Sequence, residues 1–390
     1  MFAATRLTGL AALAAATAVV AGSCGASTGT ADHATHGAAP ARRTSAATSA
    51  AAALSPAELA GQRIVYSYRG LAPPTALLRR IRRAEAAGVI LFADNVGTRR
   101  ELRATLGELQ REALASPVHK RLLIMTDQEG GQVRRLAGEP VLSERQIGES
   151  ADPRRAAASA GRGAGLNLRG VGINVNLAPV LDVYRTPGNF IDEYERSYSR
   201  NAGQVAELAG AFIRAQQATG VAATAKHFPG LGAATQRQNT DEAPVTLNLP
   251  LQTLRTVDEL PYQTAIGDGV RLVMLSWATY PALSPRPAGL SSSVIEGELR
   301  GRLHFHGVTI TDSISAGALR DYGRTGERAL LAAHAGADLI LCASTAPDDA
   351  SPDVGADALK AIENAILSRR LPRLQAQAAA ARVLALRAGG

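Results

Sequence analysis

The sequence predicts an α/β protein that folds as a single (β/α)8 barrel of the TIM type. Short apolar runs alternate with amphipathic stretches eight times after residue 55, which is typical of parallel strands covered by helices. Eight such units over about 330 residues suit a closed barrel better than an open sheet. No glycine-rich nucleotide fingerprint follows the first strand, which also argues against an open nucleotide-binding sheet.

The predicted elements follow one another in regular order. The apolar runs predict strands at residues 63–68, 88–92, 122–127, 172–177, 221–226, 272–276, 308–312 and 338–342. Helical patterns between them predict helices at 74–86, 99–115, 202–219, 294–303 and 327–335, and a last one at 356–386. Because proline cannot continue a helix, we expect an interruption of the last helix near Pro372.

Residues 1–24 are typical of a signal peptide. Arg6 precedes an apolar run that is too short to span a bilayer, and small residues lead to Cys24. The ending Ala21–Cys24 resembles a bacterial lipobox, so we expect Cys24 to carry lipid and to hold an exported protein on the outer face of the membrane. Ordinary secretion is the alternative. Residues 25–54 predict a flexible tether, and residues 55–390 the barrel domain.

The net charge of +8 comes mostly from arginine. The densest cluster, at residues 79–83, falls inside a helical pattern without interleaved aromatic residues. A solvated helix face therefore explains it better than nucleic-acid binding. The chain has two cysteines, Cys24 and Cys342. A disulfide between them is not expected if Cys24 carries lipid.

Polar and charged side chains gather where four predicted strands end, which is where barrels place their active sites. These residues are Asp127, Gln128, Glu129, Asp182, Lys226, His227 and Asp312. Burying such groups is costly without partners, so together they predict a polar ligand. The pattern lacks a cysteine or histidine triad for zinc and a Gly-x-Ser-x-Gly elbow. Paired carboxylates around a polar pocket suit glycoside hydrolysis.

Five stretches of sequence resemble the successive motifs of family 3 glycoside hydrolases, specifically the single-domain β-N-acetylhexosaminidases. They are "DQEGGQVRR", "NLAPVLDV", "ERSYSRN", "KHFPGLG" and "GVTITDSISAGAL". The resemblance runs from about residue 54 to the C-terminus and implies that the barrel is a single catalytic domain. It also implies a carbohydrate substrate and requires no metal or organic cofactor. We expect a monomer.

The resemblance implies a role for several residues. Asp312 matches the nucleophile, which would form a covalent glycosyl-enzyme and retain the anomeric configuration. Asp127 matches the carboxylate that holds sugar hydroxyls. Four further residues match groups that bind the sugar: Arg135, Arg196, Lys226 and His227. We expect Asp182 to support the site from behind, Glu129 to hold the turn of its own loop, and Trp277 to pack in the core or to stack on a sugar.

The proton donor of the resembled hexosaminidases is missing. They follow Lys-His-Phe-Pro-Gly-His-Gly with a later Asp-Ser-His. This chain has Leu231 in place of the histidine inside Gly-His-Gly, and it has Arg237 and Asn239 at the later Asp and His positions. No histidine occurs between His227 and His304.

A loop two residues longer would put Asn239-Thr240-Asp241 where Asp-Ser-His belongs. Asp241 is then the candidate acid/base, with Glu242 as a spare candidate, provided that the environment raises the pKa of the carboxyl group. Another donor, or the loss of efficient catalysis, stays open. Gly230 and Gly232 predict a flexible loop that could close as a lid.

The leading hypothesis is a retaining exo-glycosidase that removes terminal β-linked N-acetylglucosamine from cell-wall or chitin-like glycans. One alternative is a β-glucosidase-like exo-hydrolase of the same family, because Ala316 shortens a side chain that lines the sugar pocket in the relatives. The other is a non-catalytic sugar-binding lipoprotein.

Overall fold

The computed structural model describes residues 38–343 and 354–389, with side chains from residue 46 onward. The predicted signal peptide, the lipidation site Cys24 and the first part of the tether lie outside the described residues.

Eight parallel strands close into a barrel, which confirms the predicted fold class. The strands are β1 (Ile64–Tyr66), β2 (Gly88–Ile90), β3 (Leu123–Thr126), β4 (Val175–Asn176), β5 (Ala222–Phe228), β6 (Leu272–Leu275), β7 (Val308–Ser313) and β8 (Leu339–Cys342). Each pairs with its neighbours in the chain, and β8 closes the barrel by pairing with β1, with Leu341 opposite Val65. A separate two-stranded hairpin, Gln128–Gly130 with Val133–Arg134, follows β3.

Helices cover the outside of the barrel. The α-helices include Ala38–Ala53, Pro56–Gly61, Thr75–Arg82, Arg99–Leu114, Glu144–Gly148, Pro153–Arg169, Ala202–Gln217, Leu260–Gly267, Thr325–Ala335, Val354–Leu367 and Arg373–Ala388. Ser293–Arg302 is π-helical, where the sequence predicts a helix. The last predicted helix is divided before Pro372, as expected. Local sequence explains where several helices begin. Thr98 and Glu101, for example, form a capping box at the start of the helix Arg99–Leu114.

Alternation along the strands sets which side chains point into the barrel. In β7, Val308 and Ile310 pack in the interior cluster, and Asp312 continues the same face at the strand's end. In β3, Leu123 and Met125 occupy that interior, with Asp127 next on the same face. An apolar lower barrel therefore ends in a charged upper layer, because the charged residue is the last of each inward-facing series.

The prediction of a flexible tether is wrong for residues 38–53, which form a helix. Alanine-rich sequence lacks an apolar period but has the highest helix propensity, and its small side chains allow close packing. Ala51 is fully buried in the outer core. Side chains of the C-terminal helix hold this segment, since Arg373 donates to the carbonyl of Leu54 at 2.6 Å and Gln377 to that of Ala52 at 3.4 Å.

Within residues 38–343 and 354–389, none of the helices combines the length and apolar character needed to cross a bilayer.

Candidate active site

A cavity of about 410 Å³ lies at the carboxyl ends of the barrel strands. Its lining includes the following predicted site residues: Asp127, Arg135, Arg196, Lys226, His227, Asp241 and Asp312. Side chains from the strand interiors, including Ile90 and Met274, contribute the apolar part of its lining. The folded chain thus brings together residues that are up to 185 positions apart (312 − 127).

Lys226 is the centre of a buried network of charges. Its Nζ donates to Asp127 Oδ1 at 2.8 Å and lies 2.7 Å from Glu129 Oε1. Arg196 donates to both oxygens of Glu129, at 2.9 Å each. Lys226 and Glu129 are each only 2% exposed, so these pairs are shielded from water. Such an arrangement fixes Asp127 and Lys226 relative to one another before any ligand binds.

The network determines the charge states of its members. Burial by itself would raise the pKa of Glu129, but the positive charges of Arg196 and Lys226 outweigh it and hold the pKa at about 2. Burial likewise opposes the charge of Lys226, yet Asp127 and Glu129 raise its pKa above the ordinary value. Glu129 is therefore a carboxylate and Lys226 an ammonium group over the physiological range.

The expectation that Glu129 holds the turn of its own loop is wrong, because its carboxylate is engaged by Lys226 and Arg196. The neighbouring Gln128 has that role. Its amide donates to the carbonyl groups of Leu136 and Glu139 at 2.9 and 3.0 Å and accepts from the backbone N–H of Leu136 at 3.0 Å. Residues 128 and 129 point to opposite sides, and the sequence alone did not reveal which of the two faces the site.

Arg135 is the less constrained cation of the cavity. Its guanidinium lies 3.8 Å from Asp127 Oδ2, and its side chain is 30% exposed. Among the described residues, its Nε has no hydrogen-bond partner. The exposed part of the Arg135 side chain can donate hydrogen bonds to a ligand, whereas Arg196 is already paired with Glu129.

His227 is held from behind by Asp182, which is fully buried. Asp182 Oδ2 lies 2.8 Å from His227 Nδ1, and its Oδ1 accepts the backbone N–H of Leu231 at 2.6 Å. This arrangement leaves the other ring nitrogen of His227 for the cavity, as the supporting role foreseen for Asp182 requires. Leu231 lines the cavity but brings no titratable group.

Asp312 ends the inward face of β7. Its Oδ1 accepts the backbone N–H of Ser313 at 2.7 Å. Behind the strand end, Trp277 is 1% exposed and its indole N–H donates to the carbonyl of Ser313 at 2.8 Å. Trp277 thus packs in the core, the first of the two roles considered, and steadies the segment that carries Asp312.

Asp241 lies at the mouth of the cavity on a short turn. Its backbone N–H donates to Asn239 Oδ1 at 2.9 Å, which shapes the turn. The residue as a whole is exposed, although the surrounding protein desolvates its carboxyl group. Burial and the nearby charge of Asp312 raise the pKa of Asp241 to about 6, against opposing effects of Arg196 and His227.

Glu242 lies outside the cavity lining. It is exposed, and its carboxylate accepts a hydrogen bond from Asn239 Nδ2 at 3.0 Å. The geometry therefore gives the spare candidate no access to the site and makes it part of the turn that presents Asp241.

The expectation of a flexible loop after Lys226 and His227 is wrong for its first part. Leu231 and Ala234 are buried, and the carbonyl of Gly232 accepts from Asn189 Nδ2 at 2.7 Å. The glycines serve close packing instead: a Cβ at Gly232 would collide with the backbone of Val183. Glycine in a sequence suggests mobility, but tertiary contacts decide whether it is used for that.

Three aromatic residues of the cavity, Phe92, Phe190 and Tyr194, were not among the predicted site residues. Phe190 and Tyr194 line it from the long connection after β4, and Tyr194 is 46% exposed. No periodic pattern marks residues in such a connection, so only the folded chain identifies them. Among the described residues, no group of three or more His, Cys, Asp or Glu side chains could hold a metal ion.

Known proteins identify the family. The family model described as "Glycosyl hydrolase family 3 N terminal domain" matches residues 70–386 of this chain. The chain belongs to glycosyl hydrolase family 3. It is a glycoside hydrolase, and the charged cavity at the strand ends is its candidate active site.

Relatives support this assignment. The chain is 48% identical over 285 residues to an uncharacterized secreted glycosyl hydrolase of Arthroderma benhamiae, covering 72% of this chain and 80% of that protein. It is 34% identical over 265 residues to a beta-hexosaminidase of Stenotrophomonas maltophilia, covering 65% of this chain and 75% of that one. A solved β-N-acetylglucosaminidase of family 3 from a Paenibacillus species superposes with a TM-score of 0.79 at 35% identity, covering 86% of this chain but 63% of that longer chain.

Proposed function

We propose that this family 3 glycoside hydrolase is a retaining β-N-acetylhexosaminidase in which Asp312 is the nucleophile and Asp241 the acid/base. The observation that carries the proposal is the position of Asp241 in the same cavity as Asp312, with a pKa raised to about 6. A carboxyl group with such a pKa holds a proton at mildly acidic pH and can give it to a leaving group.

In the first step, Asp312 attacks the anomeric carbon and Asp241 protonates the departing oxygen. The bond to the leaving group breaks as the covalent glycosyl-aspartate forms. The charge of Asp312 is one cause of the raised pKa of Asp241, so the resting nucleophile itself favours a protonated acid.

In the second step, the same interaction works in the opposite direction. Once Asp312 is esterified, its negative charge is gone, and the pKa of Asp241 falls. Asp241 is then a better base for the water that attacks the glycosyl-enzyme, and free Asp312 is regenerated. Asp241 thus serves as the acid in the first step and as the base in the second, without any other titratable group.

The sugar would lie among Asp127, Arg135, Lys226 and His227. The network with Glu129 holds Lys226 and Asp127 in place, which reduces the ordering cost when hydroxyl groups bind. The partly exposed side chain of Arg135, which lines the cavity, offers another donor. The N-acetylhexosamine substrate is proposed because relatives at 34–35% identity are named beta-hexosaminidase and β-N-acetylglucosaminidase. Cell-wall or chitin-like glycans are the proposed source.

Trapping tests the mechanism directly. A mechanism-based fluoro analogue of N-acetylglucosamine should label Asp312, and peptide mapping should locate the label. Asp312→Ala should lose both label and turnover while it still binds the sugar. A label on another residue, or no turnover by the unmodified protein, would contradict the proposal and favour a sugar-binding lipoprotein.

Substrate choice needs a separate comparison. The enzyme should release the aryl alcohol faster from an aryl N-acetylglucosaminide than from the matching aryl glucoside. Equal or faster release from the glucoside would instead assign the β-glucosidase-like activity.

We also propose that the protein is exported and anchored through lipid on Cys24. The support is the apolar run ending in "AGSC" and the description of the Arthroderma benhamiae relative as secreted. Expression of the full chain with a labelled fatty acid should label the wild type but not Cys24→Ser. Secretion of an unlabelled wild type into the medium would overturn the anchor and leave export standing.

A further inference from the structure

We propose that Gly317 is a positioning residue that holds the Asp241 turn against the loop of the nucleophile. This inference rests on the proposed role of Asp241 as acid/base. It concerns residues 239–242, which we name the acid turn, and residues 313–318, which directly follow Asp312 and which we name the nucleophile loop.

Two backbone hydrogen bonds join the acid turn to the nucleophile loop. The N–H of Gly317 donates to the carbonyl of Asp241 at 2.7 Å, and the N–H of Ala318 donates to the carbonyl of Thr240 at 3.0 Å. They involve consecutive residues on both sides, so the two segments cannot slide or rotate past each other without breaking both. Asp241 is thus tied to the chain only five residues after Asp312.

The nucleophile loop is itself held firmly. Ser313 Oγ donates to the carbonyl of Ala343 at 2.6 Å, and the N–H of Ile314 donates to the carbonyl of Leu341 at 2.9 Å. The indole of Trp277 donates to the carbonyl of Ser313 from the other side. The acid turn therefore docks on a rigid support that also carries the nucleophile, and this contact positions the backbone of Asp241 relative to Asp312.

The contact requires the absence of a side chain at residue 317. A Cβ built on Gly317 would collide with the carbonyl group of Glu242 and lie 3.0 Å from the carbonyl oxygen of Asp241. Gly317 does not have a positive φ angle, so its backbone conformation is open to alanine. Space alone excludes alanine here, and the added methyl group would push the acid turn away from Asp312.

This position makes Gly317→Ala a selective probe of proton donation. We expect kcat/KM to fall about 100-fold on a substrate with a poor leaving group, such as a disaccharide, because misplacement of an acid by about 1 Å has an effect of that size. On a dinitrophenyl glycoside, which leaves without protonation, kcat/KM should change less than about threefold. Labelling of Asp312 by the fluoro analogue should persist.

Gly297→Ala is the matched control, because a Cβ there meets nothing within 4 Å and the residue is exposed on the outer helix Ser293–Arg302. This variant should have the wild-type kcat/KM on both substrates. If Gly317→Ala fails to fold, Asn239→Ala tests from within the acid turn whether its placement governs proton donation, since it removes the bond to the N–H of Asp241.

The outcomes are distinguishable. A loss confined to the poor leaving group supports positioning by Gly317. Equal losses on both substrates, or no loss, would overturn it while the wild-type activity leaves the proposed function intact. A wild type without turnover would overturn the proposed function and this inference together.

Discussion

Asp241 and Glu242 are neighbours with the same functional group, yet their surroundings differ. The acid turn directs Asp241 into the cavity and leaves Glu242 outside, bonded to Asn239. Burial and the charge of Asp312 raise the pKa of Asp241. A difference of one residue in a turn thus decides which carboxyl group lines the cavity.

The pH dependence of kcat/KM should reveal the proton of Asp241. With a pKa of about 6, Asp241 holds its proton below pH 6 and loses that proton as the pH rises through this value. On a poor leaving group, kcat/KM should therefore decline above about pH 6. Initial rates between pH 4 and 8 on a disaccharide would measure it.

Asp241→Asn should remove this decline and reduce the rate on the disaccharide by about 10²- to 10⁴-fold, the usual contribution of a general acid. Azide should restore turnover of a dinitrophenyl glycoside and yield the β-glycosyl azide, since azide needs no base. Glu242→Gln is the matched control and should keep the wild-type profile. A profile unchanged by Asp241→Asn would show that another group donates the proton.

Strand alternation explains how much of the site could be predicted at the scale of elements. Asp127 and Asp312 follow apolar residues two and four positions earlier on the inward faces of β3 and β7. This alternation is visible within each strand, so the sequence was enough to place both aspartates at the inward-facing ends of their strands. The partners of Glu129 lie 67 and 97 positions away in the chain, and no local pattern connects them.

The buried network gives Glu129 a measurable role in stability. Its pKa falls from an ordinary 4.5 to about 2 in the folded protein. A depressed carboxyl pKa contributes stability above the unfolded value, here about 3 kcal/mol, and this contribution is lost as the pH falls from about 4.5 through 2. Denaturant unfolding at a series of acidic pH values would measure it.

Glu129→Gln should lower the free energy of unfolding at pH 7 by about 3–5 kcal/mol, because Lys226 and Arg196 stay buried without this counter-charge. The difference in unfolding free energy between variant and wild type should shrink as the pH approaches 2, because the wild-type carboxyl group then also loses its charge. Glu242→Gln, an exposed position, should change stability by less than about 0.5 kcal/mol. A stable Glu129→Gln variant would mean that the network contributes little to folding.

At the scale of the whole molecule, the segment before the barrel is part of the folded unit. Ala51 and Leu54 are buried, and Arg373 and Gln377 bond to the backbone of this segment. The end of the helix Ala38–Ala53 and the residue that follows it are thus held by the last helix, Arg373–Ala388.

Removing this helix should destabilise the barrel. A chain that begins at residue 55, which keeps the Ser55 cap of the next helix, should lose about 2 kcal/mol of unfolding free energy through lost apolar burial, and its Tm should fall by several degrees. A chain that begins at residue 38 keeps the helix, so it is the control and should have the higher Tm. Differential scanning calorimetry would compare them, and equal Tm values for both truncations would contradict the role of the helix.

The sequence by itself determined the barrel, the order of its strands and the residues at their ends, because alternation and helical periods are local and recur in every unit. It also predicted that the usual histidine is missing. Tertiary structure decided the rest: that Glu129 pairs with Lys226 and Arg196, that the loop after His227 is packed, and that Asp241 lies in the cavity. These outcomes depend on burial and on charges brought together from distant parts of the chain, which no single stretch of sequence contains.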